Sequence, residues 1–442
     1  MPQKDKPRLG AVVMAAGLGT RMRSATPKHL HPLLGRRMVD WVLRTARELD
    51  ADPLVVVVAP STSDAFEGVD VALQETPLGT GDAVRSAQAA LEGVEEVLVL
   101  SGDTPLLTSA LLRDLLDTHR REDAAATVIS FEPGDPREYG RVVRNGSGAL
   151  AAIVEAADAS PEELAIREVN SSIYVFRAEN LWLVLERLTP KNAQGELYLT
   201  DTVSLLVAEG KRFAVHKGGK SMETEGVNTR SELAVAAATL RDRINEAHML
   251  AGVAIVDPST TWIDADAVLE PDAVIHPFSV VQGASRVAAR AEVGPHAVLR
   301  DAIVGEGALV GPFCYLRPGT VLEANSKAGT FVEIKNSHIG ERAKVPHLSY
   351  IGDAEIGEGT NIGAGSITAN YPHQPGRPKG RTTIGRNVRV GVDTVFDAPV
   401  EVGDDAWTAA GSVITEDVPP NALAIARARQ VTKEGRGGDR ND

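Results

Sequence analysis

The sequence predicts an α/β domain with a mostly parallel sheet, followed by a solenoid of short parallel strands. Strand-like and helix-like segments alternate from residue 9 to about residue 228, which favours a sheet covered by helices on both faces. From about Val268 an aliphatic residue recurs at every sixth position, often before a glycine. This period is typical of a parallel β-helix with three short strands in each coil.

The change between the two patterns sets the predicted domains. Residues 1–229 form the first domain, residues 230–250 form a connecting helix, and residues 251–442 form the solenoid with a C-terminal tail. A chain of 442 residues is too long for one compact domain. In the first domain we predict buried strands over residues 54–59 and 97–100. We predict amphipathic helices over residues 39–49 and 83–91.

The composition excludes several classes of protein. The net charge is -14, whereas broad nucleic-acid binding needs a basic surface. The single cysteine, Cys314, excludes an intrachain disulfide and is expected to be a small buried apolar residue. The first residues are polar and no apolar run approaches a membrane span, so we expect a soluble, cytoplasmic protein without a signal peptide.

The six-residue period is long and is interrupted once. It includes the series Val304, Val310, Leu316, Leu322 and it resumes at Ile384. In between, residues 370–381 are polar, basic and rich in proline. A solenoid extrudes such an insertion as a loop, and these loops often line the binding face.

A glycine-rich turn follows the first apolar run, residues 9–15. Gly17 and Gly19 lack a Cβ, so backbone N–H groups in such a turn can approach phosphates closely. Arg21 and Lys28 follow and can hold further negative charge. The turn has neither the closing Gly-Lys-Ser/Thr of a Walker loop nor the third glycine of a dinucleotide fingerprint.

Two oxygen-bearing side chains are candidates for a metal site. Asp103 ends a buried strand after Gly102, and Asn228 follows Gly226 and Val227. Carboxylate and amide oxygens suit Mg²⁺, which takes its other ligands from water and substrate phosphates. The alternative for a single aspartate at a strand end is a helix cap.

The motif A-A-G-x-G-T-R-M with its downstream Pro-Lys resembles the signature of sugar-1-phosphate nucleotidyltransferases, which have a Rossmann-like α/β fold. Further segments resemble one family of these enzymes, the bacterial bifunctional N-acetylglucosamine-1-phosphate uridyltransferases / glucosamine-1-phosphate N-acetyltransferases. The resemblance covers residues 9–436. The additional segments are residues 74–81, 139–142, 153–155, 168–170 and 192–201.

For the first domain the resemblance implies in-line attack of a sugar phosphate on UTP with Mg²⁺ as cofactor. Arg21 and Lys28 are the implied catalytic residues, and Asp103 and Asn228 the implied metal ligands. Ser172 departs from the family, which usually has glycine there. The residues implied for binding UTP and UDP-N-acetylglucosamine are Ala15, Ala16, Gly17, Gly19, Thr20, Lys28, Gln74, Gly79, Thr80, Ser101, Gly140, Glu155, Asn170 and Asn228.

For the second domain the resemblance implies a left-handed β-helix, a homotrimer and acetyl transfer from acetyl-CoA. His347 is the implied general base, because histidine is the usual base near neutral pH. Pro372, Val392 and the tail at residues 433–436 depart from the family pattern. The residues implied for glucosamine phosphate are Arg317, Lys335, Tyr350 and Asn361. Those implied for acetyl-CoA are Ala364, Asn370, Tyr371, Lys379, Val392, Ala410 and Arg427.

The resemblance thus implies a bifunctional enzyme that makes UDP-N-acetylglucosamine, the precursor of peptidoglycan and lipopolysaccharide, from glucosamine 1-phosphate. It implies small-molecule substrates and no nucleic-acid or membrane partner. Two alternatives stay open at this point. One is a nucleotidyltransferase with a single activity, in which the solenoid serves only trimerisation. The other is a non-catalytic regulatory subunit, which the presence of Arg21 and Lys28 opposes.

Overall fold

The computed structural model describes residues 6–17, 19–136, 138–218, 221–372, 376 and 378–434. Parts of the glycine turn, the inserted loop and the tail therefore lie outside the described residues, namely residues 18, 373–375, 377 and 435–442. The chain divides into two compact units, Met1–Thr239 and Leu240–Asp442. The predicted domain limits at residues 229 and 251 stay a prediction.

The first unit is built on a nine-stranded sheet in the order β11-β7-β10-β6-β1-β4-β5, with β8 paired to β10 and β9 paired to β8. Its central strands β6, β1, β4 and β5 are parallel, and β10 is antiparallel to its neighbours. The strands of this sheet are β1 Leu9–Met14, β4 Leu54–Val58, β5 Asp70–Leu73, β6 Glu96–Ser101, β7 Ala126–Phe131, β8 Arg141–Arg144, β9 Leu150–Val154, β10 Val169–Arg177 and β11 Phe213–Lys217; a separate hairpin pairs β2 Pro32–Leu33 with β3 Arg36–Arg37.

Helices cover both faces of this sheet, as the sequence predicts. Alternate residues of β1 belong to different apolar clusters: Val12 packs in one, and Ala11 and Val13 pack in the other. The helix predicted over residues 83–91 differs, because an α-helix ends at Ser86 and a 3₁₀ turn continues it. The helices are α1 Met38–Arg47, α2 Thr80–Ser86, α3 Ser109–Arg121, α4 Pro161–Leu164, α5 Ala178–Leu185, α6 Asp201–Ala208 and α7 Arg230–Leu250.

The second unit is a solenoid with three faces of short parallel strands. The first face contains β12 Ala254–Ile255, β15 Val274–Ile275, β18 Glu292–Val293, β21 Leu309–Val310, β24 Lys327–Thr330 and β27 Lys344–His347. The second contains β13 Trp262–Ile263, β16 Val280–Gln282, β19 Val298–Arg300, β22 Tyr315–Leu316, β25 Glu333–Lys335, β28 Tyr350–Gly352, β30 Ile367–Ala369, β32 Val395–Asp397 and β35 Val413–Ile414. The third contains β14 Val268–Leu269, β17 Arg286–Val287, β20 Ile303–Val304, β23 Val321–Leu322, β26 His338–Ile339, β29 Ala354–Ile356, β31 Thr382–Ile384 and β33 Val400–Val402.

The hexapeptide residues point inward and fill the solenoid. Val304, Leu316 and Ile334 are fully or almost fully buried in one continuous core. The first strand of the solenoid, β12, begins at Ala254, before Val268, from about which the six-residue period is regular. Single bridges from Lys344 through residues 361 and 389 extend the first face to the final pair, β34 Trp407–Thr408 and β36 Leu423–Ala424.

The inserted loop joins a strand of the second face, β30, to a strand of the third face, β31. Asn361 pairs with Arg389, which is 28 positions along the chain, whereas Arg389 pairs with Trp407, only 18 positions along. The extra residues leave the strand at Asn370 and rejoin the ladder at Thr382. Within the described part of the chain, no helix is long and apolar enough to cross a bilayer.

Candidate functional site

The glycine-rich turn of the first unit bends sharply past Lys28. Gly19 has φ +58°, a left-handed conformation that favours glycine. A Cβ at Gly19 would lie 2.5 Å from the Cβ of Lys28, so a larger residue would displace the lysine. A 3₁₀ turn, Thr20–Met22, follows and carries Arg21.

A cavity of about 430 Å³ opens where β1 and β6 end. This is the carboxyl edge of the parallel strands, where ligands bind in open α/β sheets. The loop before α2 closes one side, and Thr80 ties it in place because its Oγ1 accepts a hydrogen bond from the Leu199 N–H at 3.0 Å. Of the predicted nucleotide-binding residues, those that line the cavity are Ala15, Ala16, Gly17, Lys28, Gln74, Gly79, Thr80 and Ser101.

Several further residues line this cavity that were not predicted from the sequence, notably His29 and Glu196. His29 is 4% exposed, and its Nε2 has no hydrogen-bond partner among the described residues. Burial, with the charges of Lys28 and Arg37, lowers the pKa of His29 to about 4, so the ring is neutral near pH 7. In the sequence, only its position directly after Lys28 indicates that His29 could lie near the nucleotide. That position does not show which side of the turn the histidine ring faces.

Lys28 and Asp103 line the cavity, and Asn228, which borders a neighbouring cavity, meets them there. The Lys28 ammonium group hydrogen-bonds to Asp103 Oδ2 and donates to Asn228 Oδ1 at 2.9 Å. Ser101 Oγ donates to the other Asp103 oxygen at 2.7 Å. Burial alone would raise the pKa of Asp103, but the charge of Lys28 and these hydrogen bonds outweigh it and hold the pKa below its usual value.

The same oxygens fit a divalent cation. Asp103 Oδ2 and Asn228 Oδ1 already face one positive charge, the Lys28 ammonium group, so both can reach a single ion. No group of three His, Cys, Asp or Glu side chains suited to a metal occurs among the described residues. An ion held here would therefore take its other ligands from substrate and water, as Mg²⁺ commonly does.

Arg21 lies on the other side of Asn228. Its guanidinium donates to Asn228 Oδ1 at 3.2 Å and forms an ion pair with Glu138. These residues border a second cavity of about 490 Å³. Two cations, Arg21 and Lys28, therefore share one amide oxygen at the end of the glycine turn.

The predicted sugar-binding residues Gly140, Glu155 and Asn170 form a separate group. The Asn170 N–H donates to the Gly140 carbonyl at 2.8 Å, and Thr200 Oγ1 donates to Glu155 Oε1 at 3.0 Å. A Cβ at Gly140 would lie 3.4 Å from Glu155 Oε2, which shows how closely the two approach. Burial raises the pKa of Glu155, and the nearby Asp201 adds to the rise.

Ser172 connects this group with the nucleotide cavity, which it lines. Its φ is +60°, and the pairing of β10 with β7 shifts register between Asn170 and Tyr174. The Ser172 N–H donates to Asn170 Oδ1 at 2.9 Å, which fixes the asparagine side chain. The left-handed backbone is the physical reason why glycine suits this position.

On the second face of the solenoid, Lys335 and Tyr350 lie on the adjacent strands β25 and β28, and Arg317 directly follows the preceding strand, β22. Arg317 donates to Glu333 Oε1 at 2.8 Å. Gly352 makes room for the tyrosine, because a Cβ there would lie 2.4 Å from the Tyr350 hydroxyl oxygen.

His347 and Asn361 lie on the first face. His347 pairs in register with Thr330, and Asn361 pairs with Lys344. Among the described residues, no hydrogen bond joins either side chain to Lys335. His347 is exposed, and its carbonyl accepts from Ser349 Oγ at 2.7 Å.

The inserted loop brings Lys379 to Lys335. The direct contact with Lys335 and its charge lower the pKa of Lys379. The Lys379 ammonium group lies 6.0 Å from the centre of the Tyr371 ring. Asn370 anchors the start of the loop, since its amide donates to Asp353. Two neighbouring ammonium groups favour an anion between them.

Three of the residues predicted for acetyl-CoA form a line along the solenoid. The bridges that join Asn361 to Arg389 and Arg389 to Trp407 put Ala364, Val392 and Ala410 at equivalent positions of successive coils. The Asp393 N–H donates to the Ala364 carbonyl at 2.7 Å, and the Gly411 N–H donates to the Val392 carbonyl at 2.8 Å. Arg427 is exposed in the next coil.

Comparison with known proteins identifies both halves. Residues 11–188 match the MobA-like NTP transferase domain, and residues 381–416 match the hexapeptide repeat of succinyl-transferase. The chain is 48% identical to the bifunctional protein GlmU of Streptomyces coelicolor, over 96% of this chain and 93% of that protein. It is 46% identical to the GlmU of Mycolicibacterium vanbaalenii, over 96% and 92%. It is also 46% identical to the GlmU of Mycobacterium tuberculosis, over 95% and 90%.

These relatives and the two matched domains confirm the predicted fold class, an α/β nucleotidyltransferase unit followed by a left-handed β-helix of hexapeptide repeats. They also decide between the predicted activities, because they cover both units of the chain. The chain belongs to the GlmU family of bifunctional enzymes, which combine a nucleotidyltransferase and an acetyltransferase in the synthesis of UDP-N-acetylglucosamine.

Proposed function

We propose that the cavity of the first unit binds UTP and N-acetylglucosamine 1-phosphate and releases UDP-N-acetylglucosamine and pyrophosphate. The observation that carries this proposal is the convergence of Lys28, Asp103 and Asn228 at the carboxyl edge of the sheet. A sugar phosphate oxygen attacks the α-phosphorus of UTP, and the pyrophosphate oxygen leaves with the bonding electrons. The protein contributes position and positive charge rather than a nucleophile.

Each group of residues has a defined task in this reaction. The glycine turn, Gly17 and Gly19, receives the phosphates, and Arg21 and Lys28 stabilise the charge on the transferred and leaving groups. Gln74 and Gly79 contact the uracil base. The residues that we propose for the sugar are Gly140, Glu155 and Asn170, with Ser172 at the boundary of the two subsites.

We propose Mg²⁺ as the divalent cation, held by Asp103 and Asn228. When bound, the ion supplies positive charge to the reacting phosphates. The Asp103 carboxylate supports this role because it already balances one positive charge, the Lys28 ammonium group, whose place the ion would take. Lys28 then turns from these oxygens to the phosphates.

For the second unit we propose acetyl transfer from acetyl-CoA to the amine of glucosamine 1-phosphate. His347 takes a proton from the sugar ammonium group, so the free amine can attack the thioester carbonyl. Coenzyme A thiolate leaves with the electrons of the broken C–S bond and takes up the second proton that the nitrogen loses as the amide forms. Lys335, with Arg317, Tyr350 and Asn361, holds the sugar phosphate. The pairing of Lys335 with Lys379 supports an anion at this place.

We propose that acetyl-CoA lies along the line formed by Ala364, Val392 and Ala410. Small side chains at two of these positions leave space for an extended ligand. Asn370, Tyr371 and Lys379 border it at the inserted loop, and Arg427 lies beyond its far end. Cytoplasmic acetyl-CoA and UTP would supply both reactions, so we place the enzyme in the cytoplasm.

We propose a homotrimer that assembles through the solenoid. Phe278, His296, Phe313 and Phe331 stack in successive coils, with ring centres 4.8–5.3 Å apart. The three phenylalanines are 49–57% exposed, which is unusual for a continuous row of aromatic rings. Such a row favours burial against another copy of the chain, and hexapeptide solenoids commonly associate in this way.

The test of the whole proposal is a product analysis of the full chain with Mg²⁺. We expect glucosamine 1-phosphate, acetyl-CoA and UTP together to yield UDP-N-acetylglucosamine, as identified by mass spectrometry. With N-acetylglucosamine 1-phosphate as substrate, acetyl-CoA should no longer be needed. A chain that forms the product only from the acetylated sugar would contradict the proposed acetyl transfer and leave the uridyl transfer standing.

A further inference from the structure

The amide group of Gln74 is held from two sides. Its Nε2 donates to the Gly79 carbonyl at 3.0 Å and to Asp82 Oδ2 at 3.1 Å. A carbonyl oxygen and a carboxylate only accept, so the nitrogen end of the amide has to face them. Gln74 and Asp82 are 6% and 9% exposed, which limits competition from water.

This arrangement decides which atom of Gln74 meets a ligand. Gln74 lines the nucleotide cavity, and its Oε1 receives no hydrogen bond from the described residues. The oxygen is therefore an acceptor for a base. Uracil offers an N3–H donor to such an oxygen, whereas N3 of cytosine carries a lone pair that would oppose it.

Asp82 is itself oriented by a donor. Its second oxygen, Oδ1, accepts from the Arg85 guanidinium at 2.7 Å. The Arg85 side chain is 42% exposed and does not line the nucleotide cavity. A carboxylate can serve Gln74 and Arg85 together because both of its oxygens accept.

We propose that Asp82 is a positioning residue for base recognition. It holds the amide of Gln74 so that an oxygen, and not a nitrogen, faces the base, and it thereby selects UTP over CTP. The proposal rests on the proposed function, in which Gln74 contacts the base. It adds a residue that touches no substrate and a hydrogen-bond chain from Arg85 through Asp82 to Gln74.

The Asp82→Asn variant tests this chain with almost no change of shape. Arg85 only donates, so it attracts the oxygen of the new amide and turns the NH₂ group toward Gln74. That NH₂ group favours the reversed Gln74, which presents its nitrogen to the base, whereas the Gly79 carbonyl still favours the parent orientation, so part of the preference is lost. We expect the ratio of kcat/KM for UTP to that for CTP to fall about tenfold, the effect of about one hydrogen bond.

Removal of Arg85 in the Asp82→Asn variant should restore the preference for UTP. In Asp82→Asn/Arg85→Ala the amide oxygen is free to accept from Gln74 again, so the ratio should return toward that of the parent chain. Arg85→Ala alone is the matched control and should keep the parent ratio, because both oxygens of the Asp82 carboxylate accept whichever way the group turns. A loss of stability, checked by thermal unfolding, would lower both kcat/KM values together and leave their ratio unchanged.

Gln74→Ala separates this inference from the proposed function. If Gln74→Ala lowers the ratio but Asp82→Asn leaves it unchanged, the role of Asp82 is wrong and the base site stands. If Gln74→Ala also leaves the ratio unchanged, Gln74 does not read the base, and both the base site and the role of Asp82 are wrong. A fall in Asp82→Asn without recovery in the double variant would likewise overturn the hydrogen-bond chain.

Discussion

The ammonium group of Lys28 donates to the side-chain oxygen of Asn228 at 2.9 Å, although the two residues are 200 positions apart in the chain. The same ammonium group bonds to Asp103. One cation therefore joins the glycine turn, the end of β6 and the segment that precedes α7. The predictions for Asp103 and for the fragments depend on this junction.

Asp103→Ala should abolish uridyl transfer. The substitution removes one of two oxygens that we propose for Mg²⁺, and we expect turnover to fall by about 100-fold or more. The measurement is pyrophosphate release from UTP and N-acetylglucosamine 1-phosphate. Acetyl transfer by the same variant serves as the control and should be unchanged. Normal pyrophosphate release in this variant would contradict the proposed metal site.

His347→Ala should lower the turnover of acetyl transfer by about 10²- to 10⁴-fold, the usual effect of losing a general base. The KM for acetyl-CoA and the rate of uridyl transfer should stay nearly the same. His338→Ala is a matched control, since His338 is a partly exposed histidine on the third face, where it pairs with Glu323. Near-normal acetyl transfer in His347→Ala would instead favour a solvated surface histidine.

Ser172→Gly should stabilise the first unit. The left-handed φ of +60° costs a residue with a Cβ about 1 kcal/mol, and glycine avoids this cost. We expect a higher unfolding midpoint and a changed KM for N-acetylglucosamine 1-phosphate, because the hydroxymethyl group leaves the cavity. Ser171→Gly is the contrasting variant. The Ser171 hydroxyl donates to the Ile129 carbonyl at 2.8 Å, so its removal should lower the unfolding midpoint of the first unit. Equal shifts in both variants would contradict the strain argument.

Fragments of the chain should separate the two activities. A fragment of residues 1–229 should retain uridyl transfer and be monomeric. In the full chain, however, Glu232 accepts a hydrogen bond from the Asn228 N–H at 2.7 Å, and this fragment loses that contact. A fragment of residues 1–239 keeps this contact and the whole first unit, so we expect it to be the more active of the two. Steady-state rates and sedimentation velocity measure both points. Trimers of either fragment would show that the solenoid is not the assembly element.

Acid should destabilise the first unit partly through His119. Burial, followed by the charges of Arg177 and Arg120, lowers the pKa of His119 to about 4, compared with about 6.5 in an unfolded chain. Below pH 6.5 the histidine binds a proton in the unfolded state but stays neutral in the folded state. The free energy of unfolding therefore falls as the pH drops toward 4. Urea midpoints at pH 7 and 4.5 should differ less in His119→Gln. An identical difference in both proteins would refute this contribution.

Local patterns were sufficient to predict most of the fold. The buried runs at β4 and β6 and the helix α7 agree with the structure, because an apolar strand, or a helix rich in Ala, Leu, Arg and Glu, is encoded by neighbouring residues. The end of α2 at Ser86 was not predicted. The strands from Ala254 to the region of Val268 lie outside the recognised six-residue period, since their spacing is not regular.

The sequence by itself determined the two architectures, the glycine turn and the residue types available for phosphate and metal. The six-residue period is a local property, and each inward aliphatic is stabilised by the coils directly above and below it. Only the tertiary structure decided which distant side chains meet. It joined Lys28 to Asn228, gave Ser172 its left-handed backbone, and turned the Gln74 amide toward Asp82. These contacts depend on how strands and loops from separate parts of the chain pack together. The direction of a hydrogen bond depends on the positions of individual atoms, and the spacing of residues along the sequence does not give those positions.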